Sequence, residues 1–426
     1  MSHPARADAQ SPRVPEADHR VRGEAELCPV PDDVAFFDIL DPAFRADSPD
    51  ILAAQAAGWY ARTPLGPAVL RHAEAAALLR DRRLRPGSRE MLIGQGVTDG
   101  PAARWWLDTL LNTMEPPDHT RLRRLVSGAF TARRVEQLVP ALRRRAHELV
   151  DAVADEGRCD FLPAFGDPYP LQAICEVLGV PDSLRPALAG WADDLGMIFT
   201  LGVPNFLPRI EAALAGLHDG VDELLALRRR EPGDDLVSAL IQAGDVGERL
   251  RPDEVRAMVA ELLFAATTTT RNQLGRAMVL FAEHPEAWAL LRRRPDLGTH
   301  AVEEVMRLVP TMPAISRVAQ EDLQVNDLHV PAGTFLLIVV AAANTDPRVF
   351  DPVGLDITRE RPAQRTFGGG AHHCLGSWLA RIQLREALTI LAQRMPALEI
   401  DGEPVWRPPA GLYGPNHLPL RWDTSS

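Results

Sequence analysis

The chain has 426 residues, 46 % hydrophobic and 24 % charged, long enough to bury a large core without disulfide staples. Its net charge of −12 argues against electrostatic binding to nucleic acid. All 46 basic residues are arginine, so every cationic patch is a guanidinium patch, suited to planar carboxylates.

Residues 1–30 are rich in Pro, Ala, Arg and acids and lack an apolar run of signal-peptide length. They read as a disordered or loosely docked tail ahead of a single domain over 31–426. Helical spacing of apolar residues runs over 68–80, 121–130, 135–154 and 170–178. Residues 211–230 form a long amphipathic helix ending in Arg228, Arg229 and Arg230, where cations suit the negative helix end. Residues 252–282 contain no proline after the first and are apolar around much of the circumference, so this helix should run through the core. Further helices are expected at 300–308 and 375–394. Strands are few: short candidates at 58–72 and 404–422, and a nearly continuous apolar stretch at 333–342 that reads as buried. The pattern is mainly α (α+β), helix-rich with small β-sheets near the N- and C-terminal parts.

The purest apolar run, 335–343, is nine residues and far short of a membrane span. Cys28, Cys159, Cys175 and Cys374 lie far apart and form no C-x-x-C pair. A reducing, cytoplasmic setting fits.

Residues 344–373 are dense in Pro, Gly and Asp with little periodicity. Thirty irregular residues inside a packed fold need a reason, and wrapping a cofactor is one. They lead into Phe367-Gly368-Gly369-Gly370-Ala371-His372-His373-Cys374-Leu375-Gly376. Consecutive glycines allow positive φ and close approach of the backbone to something bulky. Cys374 then sits at the start of a helix, where backbone N–H groups stabilise a thiolate.

The complete pattern F-x-x-G-x-H-x-C-x-G resembles the haem-ligand loop of cytochromes P450. The resemblance runs in family order from about residue 30 to the C-terminus. It implies the cytochrome P450 fold, haem b as cofactor, and Cys374 as the thiolate ligand of its iron. Phe367 opens the same loop. Glu304-Val305-Met306-Arg307 matches the family's E-x-x-R, whose spacing puts both charges on one helix face. In the family this pair locks to an arginine of the later meander, and Arg359 is the best candidate. His119 and Arg123 match the H-x-x-x-R whose residues reach a haem propionate. Arg317 and His372 stand at the other propionate positions, completing a cationic cradle for two carboxylates. Asn344-Thr345-Asp346-Pro347 resembles the turn before the meander.

On the central helix the register gives Ala265-Ala266-Thr267-Thr268-Thr269-Thr270. By resemblance Thr269 takes the place of the oxygen-binding threonine, and Ala265 and Ala266 leave room beside it. Thr268 occupies the position of the family's proton-relaying acid, which a threonine cannot replace as an ionisable group. Three readings follow. The relay is rebuilt with water or a substrate hydroxyl and monooxygenation is ordinary; the outcome differs, as in oxidative coupling, nitration or peroxide use; or the protein binds haem or senses a gas without turnover.

By family position the pocket is lined by 87–110, 186–208, the central helix, 313–315, and Leu412 and Tyr413. Of Trp105 and Trp106, at least one is expected in the core. Met197, Ile198, Phe199 and Phe206 make the second segment apolar, implying a small, mostly apolar organic substrate. No flavin or iron–sulfur motif is fused here, so the resemblance implies ferredoxin and ferredoxin reductase as electron donors. Arg121, Arg124, Arg133, Arg134, Arg381 and Arg385 are candidates for the basic patch that receives an acidic ferredoxin. A monomeric enzyme of secondary metabolism is expected.

Overall fold

Pro252 opens a 31-residue helix, Pro252–Ala282, that organises the molecule. Proline suits the first turn because its missing N–H would be unpaired there. Glu254 accepts the Arg251 N–H at 3.0 Å, and no proline interrupts the turns that follow. Most of its residues from Val255 to Phe281 are buried on more than one face, as the sequence pattern requires. Helices Pro168–Leu178, Arg185–Gly196, Leu207–Arg230, Gly298–Leu308 and Ser377–Arg394 pack against it. The structure is a computed structural model describing residues 30–31, 33–41, 44–45, 48–200, 202–245, 250–407 and 411–424. The expected tail lies outside the described residues but for Val30, and so does Cys28.

Beside the helical body lies a five-stranded sheet in the order Tyr60–Thr63, Gly66–Val69, Phe335–Ile338, Ile315–Ala319, Leu84–Pro86. Gly66–Val69 and Phe335–Ile338 run parallel and the other neighbours antiparallel. A three-stranded sheet joins Arg158–Asp160, Pro419–Arg421 and Glu399–Ile400, so the C-terminus returns to the helical body.

Several boundaries differ from the sequence reading. The expected helix at 68–80 begins as a strand, and only His72–Leu78 is helical. The expected helix at 135–154 divides into Ala132–Glu136 and Val139–Asp151, with Pro140 in the first turn of the second. The expected strand at 333–342 ends at Ile338 and turns into the short helix Val340–Ala343. A fully buried apolar run carries no period that separates strand from helix. Asn344, which caps the helix, donates to the Thr366 hydroxyl at 2.9 Å and accepts the Arg365 N–H at 2.7 Å.

Candidate active site

The Gly298–Leu308 helix and the strands behind it fix the cysteine loop from below. Arg307 grips Glu304 with two hydrogen bonds, Nε to Oε1 at 2.6 Å and Nη2 to Oε2 at 2.9 Å. The same guanidinium donates to the carbonyls of Asn344, Val353 and Gly354. The arginine that completes the set is Arg361, not Arg359. Arg361 Nε lies 3.4 Å from Glu304 Oε1 and its side chain is nearly buried. Arg359 instead pairs with Asp356 at 2.9 Å on the surface. Asp356 donates its own backbone N–H to Glu304 at 2.9 Å, and the 356–359 turn faces outward.

Above this frame the loop closes on itself. The Cys374 N–H donates to the Phe367 carbonyl at 2.9 Å. Gly368 and Gly370 have φ of +70° and +67°, whereas Gly369 is extended. The close approach these glycines permit is to the chain after His72–Leu78: a Cβ on Gly370 would sit 2.8 Å from the Leu79 carbonyl oxygen. Regular helix begins at Ser377, three residues after Cys374. Burial pushes the Cys374 thiol up, against the Gly376 N–H and the charges of Arg123 and Arg381, which favour the thiolate. Cys374 is exposed and lines a cavity.

That cavity, about 520 Å³, runs between Cys374 and the central helix. Its wall brings together Thr268, Thr269, Ala265, Ala266, Arg123, Arg317, Phe367, His372 and Cys374. The remaining expected residue, His119, packs against His372 with ring centroids 4.2 Å apart and the planes tilted by 33°. Arg123 donates to the His373 carbonyl. Phe367 lies under the Arg381 guanidinium, 4.4 Å from its ring centre.

A carboxylate-bearing cofactor fits the donor set. His119 is buried with both ring nitrogens unpartnered, and Arg365 Nε is likewise buried and unpartnered. Burial pushes Arg317 down to about 10, with only Glu115 opposing. Burial, then the charges of His119, Arg317 and Arg123, push His372 down to about 3. Buried guanidinium cations crowded with imidazole donors in this way call for anions. Two propionates would meet that need, and Cys374, on the same cavity, would supply a thiolate ligand to the iron.

On the distal side, the Thr269 hydroxyl donates to the Ala265 carbonyl at 2.9 Å and faces the cavity. The Thr268 hydroxyl is spent differently. It donates to the Ala192 carbonyl at 3.2 Å, tying the central helix to the Arg185–Gly196 helix. Trp106 and Phe199 line the cavity and meet edge to face at 5.1 Å, and Phe199 stacks on Phe264 at 5.6 Å. Trp105 packs behind them against Phe264. Ile198 reaches the cavity, whereas Met197 and Phe206 pack against the core. Leu412 lines it; Tyr413 instead lies under the Arg276 guanidinium, 4.6 Å away.

The sequence reading missed Ile39, Leu40, Phe44 and Leu65, which reach the cavity from the N-terminal segment. Isolated apolar residues in irregular chain carry no period to betray them. It also missed Glu261, though an acid inside an apolar helix was a usable signal. In the expected basic patch, Arg121, Arg134, Arg381 and Arg385 each have an acidic partner, so much of its charge is locally balanced.

The family model for cytochrome P450 matches residues 297–410. The chain is 39 % identical over 395 residues to luteothin monooxygenase of Streptomyces thioluteus, covering 92 % of this chain and 96 % of that one. It belongs to the cytochrome P450 family. It is 36 % identical over 362 residues to 6-deoxyerythronolide B hydroxylase of Saccharopolyspora erythraea, covering 82 % and 88 %. Among solved structures, CalO2 superposes with a TM-score of 0.82 at 30 % identity, covering 89 % of this chain and 96 % of that one. The fold is thus that of a cytochrome P450, and the family's cofactor is haem b. No helix among the described residues is long and apolar enough to cross a membrane.

Proposed function

We propose that this cytochrome P450 is a monooxygenase of secondary metabolism that oxidises a small, largely apolar organic molecule. The supporting observation is the cavity itself: aliphatic and aromatic walls converge on a space between Thr269 and Cys374. Bound there, haem supplies dioxygen activation. Cys374 would ligate the iron, and His119, Arg123, Arg317 and His372 would hold the propionates. Trp106, Phe199 and Phe264 exclude water and orient an apolar substrate. Thr269 holds a proton at Oγ1 on the cavity side; turning it from Ala265 costs one hydrogen bond, about 1 kcal/mol. Thr268 positions the Arg185–Gly196 helix through Ala192. The similar proteins are named a monooxygenase and a hydroxylase, which favours oxygen insertion over coupling, nitration or sensing.

Electrons are proposed to come from an acidic ferredoxin and its reductase, at the face expected to carry Arg121, Arg124, Arg133, Arg134, Arg381 and Arg385. The protein is proposed to work as a cytoplasmic monomer. The test is spectroscopic. Reduced protein under carbon monoxide should show the absorption band that names the family, and Cys374→Ala should abolish it. A screen for compounds that move the iron from low to high spin then identifies substrates. Persistence of the band in Cys374→Ala would overturn the ligand assignment.

A further inference from the structure

Glu261 is the one carboxylate among the described residues that line the cavity. It lies on the central helix; the apolar Leu111, Phe130, Leu262, Phe264 and Ala265 line the same cavity, as do Asn112 and Arg123. Both carboxylate oxygens accept the Leu111 N–H, at 3.0 and 2.9 Å, and the Asn112 N–H adds a further bond. Among the described residues it has no ion-pair partner; the nearby Arg123 is turned to the His373 carbonyl. A carboxylate offers about four acceptor positions, so two backbone N–H groups leave it unsaturated. Burying such a group without a counter-charge costs several kcal/mol, and apolar residues fill such a position more cheaply. Burial pushes its carboxyl up to about 7, against the two backbone bonds and Arg123.

We propose that Glu261 is the substrate's polar anchor and that it recognises a cationic amine carried on an otherwise apolar molecule. This rests on the proposed reading of the cavity as the substrate site. Eight residues of helix separate Glu261 from Thr269, a rise of roughly 12 Å. The oxidised carbon therefore lies about two helical turns from the amine. Ala265, midway on the same stripe at i+4, keeps the path between them open.

The test uses haem-loaded protein and three probes of equal chain length: decyltrimethylammonium, decanol and decanoate. The quaternary cation cannot ligate iron, so its binding reports the cavity wall. Calorimetry gives affinities and the spin shift places each probe in the cavity. Wild type should prefer the cation to decanol by about tenfold, and Glu261→Gln should erase that preference while leaving decanol unchanged. Glu261→Asp should restore part of it. A second measurement needs no variant: cation affinity should rise as pH passes upward through 7, because Glu261 ionises there. Arg123, the other charged group facing Glu261, stays protonated throughout. Equal losses for cation and decanol in Glu261→Gln, or no preference in wild type, would refute the anchor and leave Glu261 as a tie to the 111–112 backbone. A wild type without the carbon monoxide band overturns the monooxygenase reading instead, and calorimetry still decides the cation preference separately.

Discussion

Glu304 and Arg307 are joined by two hydrogen bonds with each side chain 1 % exposed, and Arg361 closes on the same carboxylate at 3.4 Å. Removing one member of a buried pair leaves the other charged and unpaired, so Arg307→Ala should cost about 3–5 kcal/mol. Arg361→Ala removes a second cation but leaves the Glu304–Arg307 pair, and should cost about 1–2 kcal/mol. Arg359→Ala should cost under about 0.5 kcal/mol, because its pair with Asp356 is on the surface. Urea unfolding of the three variants checks this order; a larger loss at Arg359 than at Arg361 would reverse the assignment.

Arg317 should matter for cofactor retention more than for folding. It is buried, its guanidinium donates to the Ser316 carbonyl and to no other group among the described residues, and burial holds it down to about 10. A propionate beside it replaces lost hydration with a charged hydrogen bond of about 1.5–3 kcal/mol. Arg317→Ala should therefore release haem to an excess acceptor protein about tenfold faster or more. The exposed Arg133, changed to Ala, should release it at the wild-type rate.

The C-terminal loop sets the position of the aromatic wall. Gly411 has φ of +87°, and a Cβ there would lie 1.7 Å from the Phe199 carbonyl oxygen. That contact is impossible, so Gly411→Ala must displace either the loop or residues 197–199. The expected cost is about 1–3 kcal/mol in stability, together with weaker substrate binding. Thermal unfolding and spin-shift titration read the two effects. Unchanged affinity would mean that Phe199 does not orient the substrate.

Acid should weaken the start of the central helix. Burial raises the Glu254 carboxyl, but hydrogen bonds from Arg121 and the Arg251 N–H outweigh it, and the net position is below the ordinary glutamate value. A carboxylate held low in the folded state adds stability that is complete above about pH 4.3 and is lost as pH falls through the folded value. Glu254→Gln should be less stable than wild type by about 1 kcal/mol near neutrality. Unfolding midpoints should converge as pH drops to about 3. A constant gap across that range would show that Glu254 acts through packing rather than charge.

Contiguous motifs place neighbouring side chains together in the structure. Cys374, Phe367 and His372 share one loop, and Glu304 and Arg307 share one helix face, because local spacing decides which side chains meet. The central helix, too, was fixed from 252 to 282 by the lack of internal proline and an apolar surface. Where contacts depend on distant chain, the sequence was silent or misleading. Arg361 rather than Arg359 reaches Glu304, whose carboxylate also accepts the Asp356 N–H. Thr268 reads as a missing acid in one dimension, but the neighbouring helix gives its hydroxyl the Ala192 carbonyl. Glu261 became a site residue only when the cavity closed around it and left it among apolar walls with two backbone donors. Propensity and periodicity act over a few residues, whereas desolvation and charge balance are set by everything folding brings within a few ångströms.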